Sequence, residues 1–132
     1  MAFGTFDNFH PGHQSYLLQA NQLGEEMVVV VARDANVFRL KGRQPLENEK
    51  LRLQKVQAAV KDININSQAV LGSLSQQFSF LQKYQPDVVA LGYDQKVDID
   101  KLKNEIKKAG LTCSLRRLKA YQPSRYKSSY CR

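Results

Sequence analysis

Gly4-Thr5-Phe6-Asp7-Asn8-Phe9-His10-Pro11-Gly12-His13 joins two segments with different periodicities. On its N-terminal side, residues 2–6 are short and apolar and run into Asp7, as a strand entering a turn does. On its C-terminal side, Tyr16, Leu17, Ala20 and Leu23 recur at helical spacing, and Gly24 supplies a stop. The next apolar stretch, residues 26–33, is Val-rich with no alternation, which suits a strand covered on both faces. Strand, turn, helix and buried strand make a β-α-β unit, whose crossover is expected to be right-handed.

The same alternation continues outward. Residues 34–45 have no periodicity and hold Arg39, Lys41, Gly42 and Arg43, so a mobile basic loop is expected there. Helices are predicted over 46–60, with Leu46, Leu53, Val56 and Val60 inward, and over 73–84, with Leu74, Phe78 and Leu81 inward. A further helix is predicted over 98–109, with Ile99, Leu102 and Ile106 inward and Gly110 as its stop. Strands are predicted at 69–72 and 87–92, and a half-buried strand near an edge at 111–116. Residues 119–132 read as a basic loop with a helix start at Ser128 or Ser129. Strands alternating with helices imply an α/β fold: a Rossmann-like, doubly wound sheet of about five mostly parallel strands with helices on both faces. Such sheets bind ligands beyond the carboxyl ends of their strands.

Composition bounds the function. The 132 residues are 42% apolar and 24% charged, which fits one globular domain over 1–132. The run from Met27 to Ala32 is far shorter than the ~20 residues that span a bilayer, so no membrane role is expected. Cys113 and Cys131 form neither a metal-type pair nor a disulfide framework, and the chain reads as reduced and cytoplasmic. The net charge is +8, and it is uneven, because residues 1–32 contain no Lys or Arg. That surplus points to an anionic partner, a phosphorylated small molecule or nucleic acid, against the plainer reading of solvated surface charge. The aromatics Phe78, Phe80, Tyr84 and Tyr93 do not interleave with the basic segments, which counts against a nucleic-acid stacking platform.

The densest chemistry lies in the first turn. Gly4 and Gly12 permit close backbone approach, and the free N–H groups of a helix start favour an anion such as phosphate. His10 and His13, three apart, can aim donors at the same phosphate and stabilise charge growing on its oxygens. Two other readings stand beside this one. A closed zinc site needs about four ligands, and the chain has no third His. The two histidines can also be incidental loop residues; as donors to phosphate they are expected to be loop imidazoles that bury little. By the same standard, Lys41 and Arg43 alone read as a solvated loop, Asp94 as a turn residue and Ser128 as a helix cap.

Gly4-Thr5-Phe6-Asp7 followed by His10-Pro11-Gly12-His13 resembles the signature of the cytidylyltransferase-like nucleotidyltransferases. Further matches are Val30-Val31-Ala32-Arg33-Asp34, Leu40-Lys41-Gly42-Arg43, Arg52-Leu53, Leu91-Gly92-Tyr93-Asp94-Gln95 and Tyr126-Lys127-Ser128-Ser129. In this combination the chain is most similar to archaeal-type FAD synthases (FMN adenylyltransferases), and less so to glycerol-3-phosphate cytidylyltransferases. The resemblance implies transfer of a nucleoside monophosphate from an NTP, ATP ahead of CTP, to a phosphorylated acceptor, with release of pyrophosphate.

It also implies roles for individual residues. His10, His13 and Lys41 become catalytic, and Thr5, Phe6, Gly12, Gly92, Asp94, Ser128 and Ser129 become nucleotide-binding. Arg43, Arg125 and Lys127 are further phosphate contacts, and Mg²⁺ bridges phosphate oxygens without protein ligands. Tyr93, Tyr121 and Tyr126 are candidates for a wall against a flavin ring. A homodimer is among the expectations, and a nucleic-acid module or inactive nucleotide-binding scaffold is the alternative of another class. Both ends of the chain look clipped relative to the family, so a weakened sheet edge and an incomplete phosphate-binding helix are expected.

Overall fold

The computed structural model of the chain describes residues 1–74, 78–92 and 98–119. Its elements alternate as β1 (Ala2–Gly4), α1 (Pro11–Asn21), β2 (Val28–Val31), α2 (Asp34–Lys41), α3 (Glu49–Ile63), β3 (Gln68–Leu71), α4 (Ser79–Tyr84), β4 (Val88–Leu91), α5 (Ile99–Lys108) and β5 (Ser114–Arg117). The strands form a five-stranded sheet in the order β3-β2-β1-β4-β5. Every pairing is parallel, so the Rossmann-like α/β class read from the sequence holds.

Two hydrophobic clusters cover the two faces of this sheet. Leu17 and Ala20 of α1 and Val56 and Val60 of α3 pack with Ala2, Val29, Val31, Ala69 and Ala90. Leu81 of α4 and Leu102 and Ile106 of α5 pack with Val89 and Leu91 on the opposite face, with Phe3 and Leu115 partly buried against them. Neighbouring strand residues thus face opposite ways, as the pleat requires. The topology accounts for the division of helices. The chain steps from β1 to β2 to β3 in one direction, then jumps back across the sheet to β4 and β5. With crossovers of one hand, that reversal moves the connecting helices to the other face. The crevice between β1 and β4 is therefore the switch point, where doubly wound sheets take their ligands.

Several sequence expectations are corrected. Residues 34–41 are a helix and not a loop: α2 buries only Val37, so no amphipathic stripe announces it. Its start is fixed from outside, by Glu49, whose Oε1 accepts the Asp34 N–H at 3.0 Å, and its end by Gly42 in the left-handed conformation at φ 74°. Helix α3 begins at Glu49, so Leu46 precedes it and is 73% exposed, while Arg52 takes the buried position one turn before Val56. Leu74 is 57% exposed and lies outside α4, which is shorter than the predicted 73–84. Helix α1 begins at Pro11, two residues before the start at His13 that the sequence spacing predicts. The first strand is central, not a weakened edge; β3 and β5 are the edges. No helix among the described residues is long and apolar enough to cross a membrane.

Candidate active site

The carboxyl end of β1 turns sharply into α1, and backbone geometry explains the residues used there. Phe6 and Asn8 both adopt positive φ, 57° and 52°. The Phe6 ring is 3% exposed and folds back over Gly4, where an added Cβ would meet its Cε2 at 2.8 Å. Gly4 therefore makes room for the Phe6 ring and not for a ligand, as the sequence had implied. Phe6 in turn supports His13, edge-to-face at 5.5 Å between ring centres, and Tyr16 at 6.1 Å.

The two histidines cap α1 reciprocally. His10 is the N-cap, and its Nδ1 accepts the Gly12 N–H at 3.1 Å. His13 sits at the third helical position, and its Nδ1 accepts the His10 N–H at 3.3 Å. The pair does with imidazoles what a Ser and a Glu do in the usual capping box. A ring nitrogen that accepts is unprotonated, so in each neutral imidazole the proton is on Nε2. The rings stack at 3.8 Å between centres, inclined by 24°. Burial is the main cause that pushes the His13 pKa down to about 3; the neighbouring His10 and Lys41 add to the fall, and Asp7 opposes it. Burial also lowers the pKa of His10. At neutral pH the arrangement therefore offers neutral Nε2–H donors. Contrary to the expectation of a little-buried loop imidazole, His13 lies within α1 and is largely buried.

Around this cap the other predicted residues separate into groups. Lys41 ends α2, is exposed, and its charge reaches His13. Arg43 follows just past Gly42 and is exposed. The Thr5 carbonyl accepts from Arg52 Nη1 at 2.7 Å, and Gly12 is held by His10. Gly92 lies at the end of β4, the strand beside β1, and its carbonyl accepts from Arg117 Nη1 at 2.7 Å. Tyr93, Asp94, Tyr121, Arg125, Tyr126, Lys127, Ser128 and Ser129 lie outside the described residues. The chain leading to the last six leaves β5 tied to α1, where Gln19 accepts the Lys119 N–H at 2.9 Å and donates to the Lys119 carbonyl at 2.9 Å.

Sequence reasoning missed the residues that brace this site. Asp7 accepts the N–H groups of Leu46 at 2.8 Å and Glu47 at 2.9 Å, and Glu47 returns the contact by accepting the Asn8 N–H at 3.0 Å. Arg52 is fully buried and donates to Glu47 O at 3.0 Å, Thr5 O at 2.7 Å and Asp34 Oδ1 at 2.7 Å. Asp34 and Glu49 exchange backbone bonds between the starts of α2 and α3, and Arg33 joins Glu49 to the Gly72 carbonyl. Arg33, Arg52 and Arg117 are thus engaged within the fold, so part of the basic surplus is structural. The signal for Arg52 was its spacing, four residues before Val56 and eight before Val60 on one buried stripe. A separate groove of about 640 Å³, lined by residues such as Ile99, Lys103, Lys107 and Arg117, lies along α5 and β5 and contains none of the predicted site residues.

The profile of the cytidylyltransferase-like family matches residues 1–132. A protein named FAD synthase from Methanothermobacter thermautotrophicus is 41% identical, the match covering 98% of this chain and 84% of that one. Another FAD synthase, from Aciduliprofundum boonei, is 42% identical over 94% of this chain and 80% of its own. Among solved structures, the lipopolysaccharide core biosynthesis protein of Thermoplasma volcanium superposes with a TM-score of 0.79 at 37% identity, covering 92% of this chain and 96% of that chain. A protein of unknown function from Archaeoglobus fulgidus, at 14% identity and a TM-score of 0.69, shares the fold.

Proposed function

Because the chain belongs to the cytidylyltransferase-like family, a family of nucleotidyltransferases, we propose that it joins the adenylyl group of ATP to FMN, forming FAD and pyrophosphate. The observation that carries this reading is the reciprocal histidine cap, His10 and His13, at the carboxyl end of β1 and beside the switch point. The FAD synthase relatives support the choice of acceptor.

The chemistry asks little of the protein except placement and charge. A phosphate oxygen of FMN attacks the α-phosphorus of ATP in line with the departing group. The new P–O bond forms as the bond from the α-phosphorus to the bridging oxygen breaks, and pyrophosphate leaves with the electron pair. No protein nucleophile takes part. The helix start and the two neutral imidazoles donate hydrogen bonds to phosphate oxygens as charge accumulates on them. Lys41, at the mouth of the site, adds a cation that the histidines do not supply. The backbone at Thr5, Phe6 and Gly92 borders the nucleotide, with Asp94 toward base and ribose. The resemblance assigns Arg43, Arg125, Lys127, Ser128 and Ser129 to contacts with the phosphates.

The divalent cation, with Mg²⁺ the expected one, belongs to this reading as a passenger on the triphosphate, a substrate and not a resident ion. The donor set fits that role. Both Asp7 oxygens are engaged with backbone N–H groups, and no cluster of three or more ligating side chains occurs among the described residues. Hard divalent ions bound through phosphates keep most of their water and need few protein ligands. The test is incubation with ATP, FMN and each of several divalent cations, with FAD resolved by chromatography. FAD formation that requires the cation is expected, and absence of FAD with every cation would refute the reading.

A further inference from the structure

We infer that Tyr16 is a positioning residue for this reaction: its hydroxyl sets the opening between β1 and β4 and fixes the histidine-bearing helix against it. The inference deepens the proposed nucleotidyl transfer and rests on it.

Tyr16 lies one turn beyond His13 on α1, and its hydroxyl reaches the sheet at the β1–β4 seam. Its single proton has two acceptors in reach, Ala90 O at 3.0 Å and Phe3 O at 3.1 Å, and its oxygen accepts the Phe3 N–H at 3.3 Å. One hydroxyl therefore touches polar backbone atoms of both strands of the seam. This seam differs from the others. Among the described residues β1 and β4 share a single register pair, Ala2 with Ala90. The β1–β2 seam has three pairs, and the β2–β3 and β4–β5 seams have four each. The side chain is buried enough to raise its pKa strongly, so the hydroxyl stays a neutral donor and acceptor across the working pH range.

The consequence is geometric. Neighbouring parallel strands approach to about 4.8 Å when their own ladder sets the distance. At this seam a phenol placed by α1 acts beside the backbone bonds of Met1 with Val88 O and the Ala90 N–H, so one side chain ties the helix to both strands that border the crevice. Phe6, packed on both His13 and Tyr16, links the two residues a second time. A nucleotide in the crevice must meet the strand ends and the helix start together, and misplacement of about 1 Å between them can cost on the order of 100-fold in rate. Removing the hydroxyl leaves the aromatic ring in place but takes away the hydrogen bonds that tie the helix to both strands of the seam.

The test is Tyr16→Phe, measured beside wild type and Ile106→Val. Ile106 belongs to the cluster on the opposite face of the sheet, so its loss of a methyl group lowers stability without touching the seam. Kinetics are taken well below the melting temperature of all three proteins. The expected result is that kcat/KM for ATP falls about 10-fold in Tyr16→Phe and changes less than about twofold in Ile106→Val, whatever the order of their melting temperatures. Tyr16→Phe with wild-type kcat and KM overturns the inference alone. Equal losses in both variants overturn it as well, by assigning the effect to stability. A wild type that forms no FAD removes the proposed function, and the inference falls with it.

Discussion

At His10 and His13 the local structure and the chemistry use opposite sides of the same ring. Nδ1 holds the helix start and Nε2 carries the proton, so a simple deletion conflates two losses. His10→Ala removes the cap acceptor, which costs about 1 kcal/mol, as well as the donor, which contributes ~2.7–4 kcal/mol to the barrier. His10→Asn keeps an oxygen for the Gly12 N–H and discards the Nε2 donor. Its turnover is expected to drop by a factor on the order of 10²–10³ with a melting temperature close to wild type; a full-rate His10→Asn would mean that Nε2 does nothing. His13 carries a pH signature. Its pKa is about 3 in the fold against about 6.5 in the unfolded chain, so the unfolded state binds more protons between those values. Stability must therefore fall as pH drops below about 6.5, by up to about 1.4 kcal/mol per unit from this residue. Urea unfolding from pH 7.5 to 5 is expected to show that slope in wild type and a shallower one in His13→Gln, whose side chain can still accept the His10 N–H. Equal slopes would contradict the buried neutral imidazole.

Helix α2 and its junction with α3 are where sequence patterns gave least. A helix that buries one apolar residue has almost no periodicity to read, and this one is held at its start by polar bonds to Asp34 from Glu49 and Arg52 of the next helix. Those bonds hold the element whose last residue is Lys41. Arg52→Ala leaves the Thr5 and Glu47 carbonyls without their guanidinium donor and Asp34 without its ion pair. A loss of about 3 kcal/mol is expected in denaturant unfolding, with a higher KM for ATP in the protein that remains folded. Unchanged stability would show that the buried guanidinium is replaceable. Gly42→Ala is a narrower probe of the same helix. Nothing lies within 4 Å of an added Cβ, and φ is 74°, so a loss of about 1 kcal/mol from backbone strain alone is expected. Lys41→Ala, by contrast, is expected to raise KM for ATP without lowering the melting temperature.

Across the whole molecule, the strands and the larger helices were legible because each carries the period its burial demands: Val28 to Val31 covered on both faces, and Ile99, Leu102 and Ile106 on one helical stripe. The turn into α1 that carries His10 and His13 was legible through its motif. Its bracing was not, since Asp7, Tyr16 and Arg52 act through backbone atoms distant in sequence, and composition does not record such pairings. Strand order is likewise a tertiary property, and it is what sets the His10–His13 cap beside the crevice between β1 and β4. The central claim, that this crevice and cap transfer an adenylyl group to FMN, is met most directly by a competition between acceptors. Wild-type protein is supplied with ATP, CTP, FMN and glycerol 3-phosphate together with a divalent cation, and the products are separated by chromatography. FAD and pyrophosphate in equal amounts are the expected products; CDP-glycerol without FAD would contradict the assignment of ATP and FMN as the substrates.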